Sequence, residues 1–375
     1  AVAIVFAGGL SNAASEMGYV VLVPLAAAVF HSLGRHPLAG LAAGFAGVSG
    51  GYSANLVIGT IDPLLAGLTQ QSAQLMDPTY TVHPLVNWYF MIASTFVVTL
   101  LGWWVTARIV EPKLGPWDPG GASEDLGPAR LEPLTDAERR GLRRAGVAAL
   151  ATAAVIAWTV VPDDGVLRNP ATGSVLHSPF LNGVVCFIFV MFLVPGFVYG
   201  RAVGTMRSDR DVIKAMEEGM RTLGLYIVLV FFAAQFVAWF GWSNIGTITA
   251  VLGARGLEAV GLTGPLFFLL FIPFCAFLNL AIGSASAKWA ITAPIFVPML
   301  MLLRYNVITP MMSYFGLILA MASRYVRDLG IGTLIATMLP YTLVFMVGWT
   351  AFFYLYVFVF HLPLGPATPL YWPAS

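Results

Sequence analysis

The stretch Gly47–Gly67, GVSGGYSANLVIGTIDPLLAG, constrains this chain more than any other. It lies inside a long apolar run, yet it carries Ser49, Ser53, Asn55, Thr60 and the carboxylate of Asp62, with four glycines before Pro63. A plain membrane helix needs none of these groups. Unpaired backbone groups in hydrocarbon cost several kcal/mol each, so irregular backbone at that depth survives only inside protein or facing a water-filled cavity. Ionisable groups there are costly and usually functional. The stretch reads as a broken helix lining a polar substrate or ion site.

That reading requires a membrane, and composition supplies one. Of 375 residues, 58% are hydrophobic and 10% charged, against about 25% charged in an average soluble domain. The fold class is an all-α polytopic membrane protein whose partner is the lipid bilayer. A net charge of +1 gives no reason to expect nucleic acid. Cys186 and Cys275 sit in apolar runs without metal-ligand spacing and read as buried structural thiols. Ala1 opens on an apolar run without the charged n-region of a signal peptide, so the chain reads as cut mid-element.

The apolar runs are separated by loops of uneven charge. Ala1–Phe30 is interrupted by Gly8-Gly9 and by Ser11–Glu16, as a re-entrant hairpin arm followed by a helix would be. Leu85–Val110, Ala145–Val161, Phe180–Tyr199, Thr222–Phe240, Pro265–Ala281 and Gly332–Phe360 read as spans, with a further one ending at Met321. Trp88, Tyr89, Trp103 and Trp104 are placed as interfacial aromatics, and Thr135 and Glu138 have capping-box spacing. Arg108–Arg144 and Arg201–Arg221 are basic and should be cytoplasmic. Thr69–Pro84, read as a polar loop, and Pro162–Ser178 should be outside. The expected division is a first transport segment over 1–110, a cytoplasmic loop over 111–144, scaffold and dimerisation helices over 145–240, and a second transport segment over 241–375.

The second half repeats the irregularity. Gly241–Gly253 is polar and glycine-interrupted, and Asn279–Pro298 sets small polar residues, Lys288 and Trp289 beside an apolar run. Asn12–Pro24 and Asn279–Pro294 share an order of Asn, small residues, Ser, a polar residue and an apolar run to Pro. Each is followed by a second Asn-to-Pro element, Asn55–Pro63 and Asn306–Pro310. Interrupted apolar segments in corresponding halves point to an inverted-repeat secondary transporter, with broken helices and re-entrant hairpins around a site at the repeat interface.

Of eighteen acids, only Glu16 and Asp62 fall at membrane depth, and of the bases only Lys288 clearly does. Asp62 can hold a coupling ion or a substrate amine, or cap the helix starting at Pro63; the two roles are compatible. Asn55, Asn279 and Asn306 can offer amide oxygens to a cation, Na⁺ at Asn279 and Asn306 in particular, or NH₂ groups to a substrate carboxylate, with Asn55 and Asn279 expected among the substrate contacts, or they can tie down broken backbone. Trp289 can stack on an aromatic ligand or simply pack. Lys288 can pair with an anionic substrate or snorkel. Gly47–Gly50 matches the G-x-S-G of intramembrane serine proteases, with Ser49 as nucleophile. Such chemistry needs a base near the serine, and all five histidines sit in loops or at segment ends. The chain is therefore read as a non-enzyme.

Ser49–Gly67, Asn87–Thr95 with Val110–Gly115, Phe277–Leu303 and Gly330–Tyr341 together resemble the AbgT family of aminobenzoyl-glutamate transporters, nearly end to end. The resemblance implies a homodimer in the bacterial inner membrane, with nine transmembrane helices and two re-entrant hairpins. It implies Na⁺- or H⁺-coupled transport of p-aminobenzoyl-glutamate, with no other cofactor, and export of sulfonamide antimetabolites by some members. It places site residues at Asp62, Asn279, Ser286 and Trp289, the indole lying against an aminobenzoyl ring. Two departures stand out. A sizeable N-terminal portion of the family has no counterpart before Ala1. Tyr305 also runs directly into Asn306, where the family has Tyr-Arg and Asp-Ser-x-Thr, so Arg304 is not the family arginine and a segment is expected to be missing there.

Overall fold

The computed structural model describes residues 1–12, 17–59, 61–117, 134–171, 178–222, 242–281, 285–305 and 331–366, with positions 173, 175, 228, 231, 232, 235, 238, 239 and 371. The described residues are helical, without a strand; Tyr305 and Tyr371 form one isolated bridge. They divide into two compact units, Ala1–Leu131 with Phe232–Ser375, and Glu132–Phe231. Glu16 and Asn306 lie outside the described residues, as do the side chains of Asn279 and Ser286.

The first unit is built on elements too short to cross a bilayer alone. Helices α1 (Val2–Ser11) and α2 (Met17–Ser32) have ten and sixteen residues, about 15 and 24 Å at 1.5 Å per residue, against a hydrocarbon core of about 30 Å. Both pack on α3 (Pro37–Gly50). The start of α1 lies level with the end of α2, because Ala1 and Ile4 pack on the cluster containing Phe30 and Val110. The chain enters and leaves on one side, which makes a re-entrant hairpin.

Glycine permits the close approach of these helices. A Cβ on Gly8 would lie 2.7 Å from the Gly47 carbonyl carbon, and one on Gly47 would lie 2.6 Å from the Val5 carbonyl oxygen. At the α2–α3 corner, Arg35 donates two hydrogen bonds to Glu111, at 2.7 and 2.6 Å, so this corner shares a level with the end of the next span.

Helix α3 stops at Gly50, passes through one 3₁₀ turn (Gly51–Ser53), and resumes only at Ile61 as α4 (Ile61–Ala73). The break expected in Gly47–Gly67 is present. The polar loop expected from Thr69 begins later, because α4 runs to Ala73 and buries Thr69 and Ser72. Helix α5 (Trp88–Val105) continues through five π-helical residues (Thr106–Val110) to Leu114.

The second unit pairs α6 (Asp136–Val160) with α7 (Val184–Val203), followed by α8 (Asp209–Thr222). The capping box expected at Thr135 is formed. Thr135 Oγ1 accepts from Glu138 N at 3.2 Å, and Glu138 Oε2 accepts from Thr135 N at 2.8 Å. Arg168 closes the other end of α6 by donating to the Val160 carbonyl at 2.9 Å. Cys186 is exposed and Cys275 half-buried, so neither thiol is fully buried as expected.

The first unit is completed by α9 (Ile245–Ala259), α10 (Pro265–Ala281), α11 (Ala285–Leu302) and α12 (Ile331–Tyr354), the last ending in its own π-helical residues, Leu355–Val359. Two expectations are corrected here. Gly241–Gly253 is interrupted only near Asn244, which sits at φ 56°; after it the chain is continuous helix. Pro265–Ala281 is not a free span. Only three residues separate α10 from α11, and Phe271 and Phe274 meet Phe296 across the pair, as in a second hairpin. Among the described residues, four helices are long and apolar enough to cross a membrane: Trp88–Leu114, Asp136–Val160, Cys186–Val203 and Ala336–Val359.

Candidate functional site

The break between α3 and α4 is held by side chains, because its backbone has left the helical ladder. Trp88 donates its indole N–H to the Leu56 carbonyl at 3.1 Å. Expected as an interfacial aromatic, it is a strut of the break. Asn12, at the end of α1, donates to the Val48 carbonyl at 2.7 Å and so ties the hairpin tip to the last turn of α3. Asn55 is buried in the break itself.

Asp62 lies at the other end of the break, in the first turn of α4 rather than before it. Its Oδ2 accepts from the Gly59 N–H at 2.6 Å. The expected N-cap role is corrected: the helix starts at Ile61, two residues before Pro63, and the carboxylate reaches back to the loop instead of forward to the helix. A carboxylate at a helix N-terminus also meets the positive end of the helix dipole.

Helix α4 connects Asp62 to the second half of the chain. Leu65 and Ala73 pack against Trp289, Ala293, Val297 and Met301 of α11. Trp289 donates its indole N–H to Thr69 Oγ1 at 2.7 Å, and the two residues are 1% and 0% exposed. Thr69 is seven residues beyond Asp62 on the same face, about 10 Å along the axis. The face that carries the carboxylate is thus the face on which the indole is seated. Sequence reading missed Thr69 by placing it in a loop; the spacing Asp62, Leu65, Thr69, Ala73 is its only sequence signal.

Lys288 is 1% exposed. Snorkelling to an interface, one of its two expected roles, is excluded by that burial. The described partner of Ser49 is no base: its Oγ meets the Tyr19 hydroxyl at 3.1 Å. A tyrosine hydroxyl does not supply the general base that a serine nucleophile needs, and the protease reading has no support. Among the described residues, no group of His, Cys, Asp and Glu is arranged to hold a metal ion.

An all-helical membrane protein in which a re-entrant hairpin meets a broken helix, beside a deep carboxylate, has the architecture of a secondary transporter. The comparisons specify it further. The family described as "AbgT putative transporter family" matches residues 1–372, and the chain belongs to the AbgT family. The p-aminobenzoyl-glutamate transport protein of Escherichia coli (strain K12) is 39% identical over 379 residues, covering 97% of this chain and 73% of that protein. MtrF of Neisseria gonorrhoeae, whose structure is said to illuminate a class of antimetabolite efflux pumps, superposes with a TM-score of 0.85 at 56% identity. That match covers 98% of this chain and 76% of MtrF. The YdaH transporter of Alcanivorax borkumensis, described as having an unusual topology, gives 0.86 at 44% identity, with 97% and 79% covered.

Proposed function

We propose that this AbgT-family transporter is a cation-coupled carrier of p-aminobenzoyl-glutamate or a related folate-pathway aromatic, with sulfonamide antimetabolites among its exported substrates. We place it as a homodimer in the bacterial inner membrane. The observation that carries the reading is the seating of Trp289 on the helix whose first turn holds Asp62. One helix face joins an ionisable group to an aromatic one, and an aminobenzoyl compound with carboxylates needs both. The substrates named for the relatives support the same chemistry.

In this reading Asp62 takes the coupling Na⁺ or H⁺. Asn279 and Asn306 supply amide oxygens for the ion, and Asn279 and Ser286 supply polar contacts to the substrate. Lys288 balances a substrate carboxylate, for which a buried ammonium is the natural partner. The benzoyl ring stacks on Trp289. Because the indole is sealed against α4, the ring meets substrate only when α4 and α11 part. Separation of these two helices is then the conformational step that exposes the aromatic part of the site.

Flux in proteoliposomes tests this. Labelled p-aminobenzoyl-glutamate, and separately a sulfonamide, is followed under an imposed Na⁺ or H⁺ gradient. Flux should follow one gradient and vanish in Asp62→Ala, with the variant still eluting as folded protein. Wild-type flux in Asp62→Ala would remove that residue from the coupling path. No flux of either compound under any gradient would overturn the substrate class.

A further inference from the structure

The first repeat contains two buried amide oxygens that no protein donor reaches. Asn12 is 4% exposed and Asn55 is 2% exposed. Asn12 Nδ2 is surrounded by the carbonyls of Val48, at 2.7 Å, and of Gly8 and Gly9, each at 3.4 Å. Three carbonyls decide which end of this amide is nitrogen, since a flipped oxygen would be repelled by all of them. Oδ1 of Asn12 therefore points away from them, and it accepts no hydrogen bond. Neither does Oδ1 of Asn55.

Close contacts place the two residues at one locus. A Cβ on Gly51 would lie 2.2 Å from Asn12 Nδ2 and 2.7 Å from the Gly9 carbonyl oxygen. A Cβ on Gly9 would lie 3.3 Å from the carbonyl oxygen of Ala54, the residue before Asn55. Ala54 has left the helix, at φ −147° and ψ 82°. The end of α1 and the end of α3 thus meet the first residues of the break, and the carbonyls of Gly9 and Ala54 lie there beside the Asn12 amide.

A buried acceptor left unsatisfied costs about 1–3 kcal/mol, and a cation held between the hairpin tip and the break satisfies both amide oxygens. The oxygens come from amides and carbonyls, which suits a hard cation. Without a cluster of carboxylates, a divalent ion is poorly matched, because calcium sites draw on several. Half-helix C-termini and unwound carbonyls are a known way of holding Na⁺ at the middle of a membrane. The sequence echo also pairs Asn12 with Asn279 and Asn55 with Asn306.

We propose that the amide oxygens of Asn12 and Asn55, together with backbone carbonyls of the helix break, bind a sodium-sized monovalent cation. This is a first-repeat site, separate from one at Asn279 and Asn306. Asn55, expected from the sequence among the substrate contacts, is thereby assigned to an ion. Occupied, the site fastens the hairpin tip to the break, and ion binding steadies the break, which carries Asp62 at its far end. The role of this ion in transport rests on the cation-coupled reading above; its binding chemistry does not.

The test is unfolding of the detergent-purified chain as NaCl replaces choline chloride at constant ionic strength. An ion that binds only the folded state raises stability with its concentration, and the slope against ln[Na⁺] counts the ions bound. The wild type should show about twice the slope of Asn55→Ala or Asn279→Ala, and the double variant none. Asn55→Asp, which keeps an oxygen and adds charge, should lower the half-saturating Na⁺ several-fold; it decides the matter if Asn55→Ala does not fold. A wild-type slope in Asn55→Ala, as a buried water would give, overturns the site, and so does an unchanged midpoint for Asn55→Asp. A halved slope without Na⁺-driven flux in proteoliposomes would keep the site and remove the coupling reading instead.

Discussion

Thr69 shows how much a single side chain decides. Its hydroxyl is the acceptor for a fully buried indole N–H, and a buried donor left without an acceptor costs about 1–3 kcal/mol. Thr69→Val keeps the shape and removes the acceptor, so it should lower the thermal midpoint, while Thr69→Ser should restore most of it. His36 acts by titration. It caps α3, its Nδ1 accepting from the Leu38 N–H at 3.3 Å. Burial pushes its pKa below the ordinary value of 6.5, and the Glu111 charge opposes this only in part. A folded-state value below the unfolded one means that folding favours the neutral ring. Its contribution is present above the unfolded value and is lost as pH falls through the folded one. Stability should therefore fall between about pH 7 and pH 5. His36→Asn, which caps without titrating, should flatten that dependence in a pH series of unfolding midpoints.

At the scale of elements, the hairpin depends on backbones in contact. Gly8→Ala would force a Cβ to 2.7 Å from the Gly47 backbone, where no flexible side chain can yield. Overpacking of this kind costs about 1–3 kcal/mol, so the midpoint should drop. Gly196→Ala is the control: it sits within α7 with nothing within 4 Å of its Cβ, and alanine is the better helix former. A drop of equal size in the control would mean that contact with Gly47 is not the cause. The break of Gly47–Gly67 was legible because glycines, amides and an acid are costly in hydrocarbon unless the helix opens there around a polar site. The π-helical residues of α5 and α12 were not. They add no unusual residue type, and they lie where the two helices pack, with Thr106 Oγ1 2.7 Å from the Tyr341 hydroxyl.

At the scale of the molecule, charge distribution and the Arg35–Glu111 pair give the first unit one orientation. Lys113 follows Glu111 in the basic segment assigned to the cytoplasm, and the pair ties the α2–α3 corner to that level. On that expectation the hairpin should open toward the cytoplasm, and Thr79, past α4, should lie outside. With Cys186 and Cys275 replaced by alanine, Leu33→Cys, at a position 64% exposed, should react with an impermeant maleimide from the same side as Lys113→Cys and from the opposite side to Thr79→Cys. Labelling of Leu33→Cys with Thr79→Cys would reverse the hairpin.

The membrane class, the broken helix and the deep carboxylate are legible in the residues alone, because they follow from the cost of polar groups in hydrocarbon and need no partner to be argued. The motif-length resemblance carried the family in the same way. What the polar groups face depends on the packing of distant helices. Trp88 became a strut because the Leu56 carbonyl lies within its reach, Thr69 a buried acceptor because α4 continues to Ala73 and meets α11, and Asn12 a partner of the break because glycines let α1 close on α3. Each of these depends on contacts between residues 32 to 220 positions apart, and local sequence carries no signal for a hydrogen bond made across that distance.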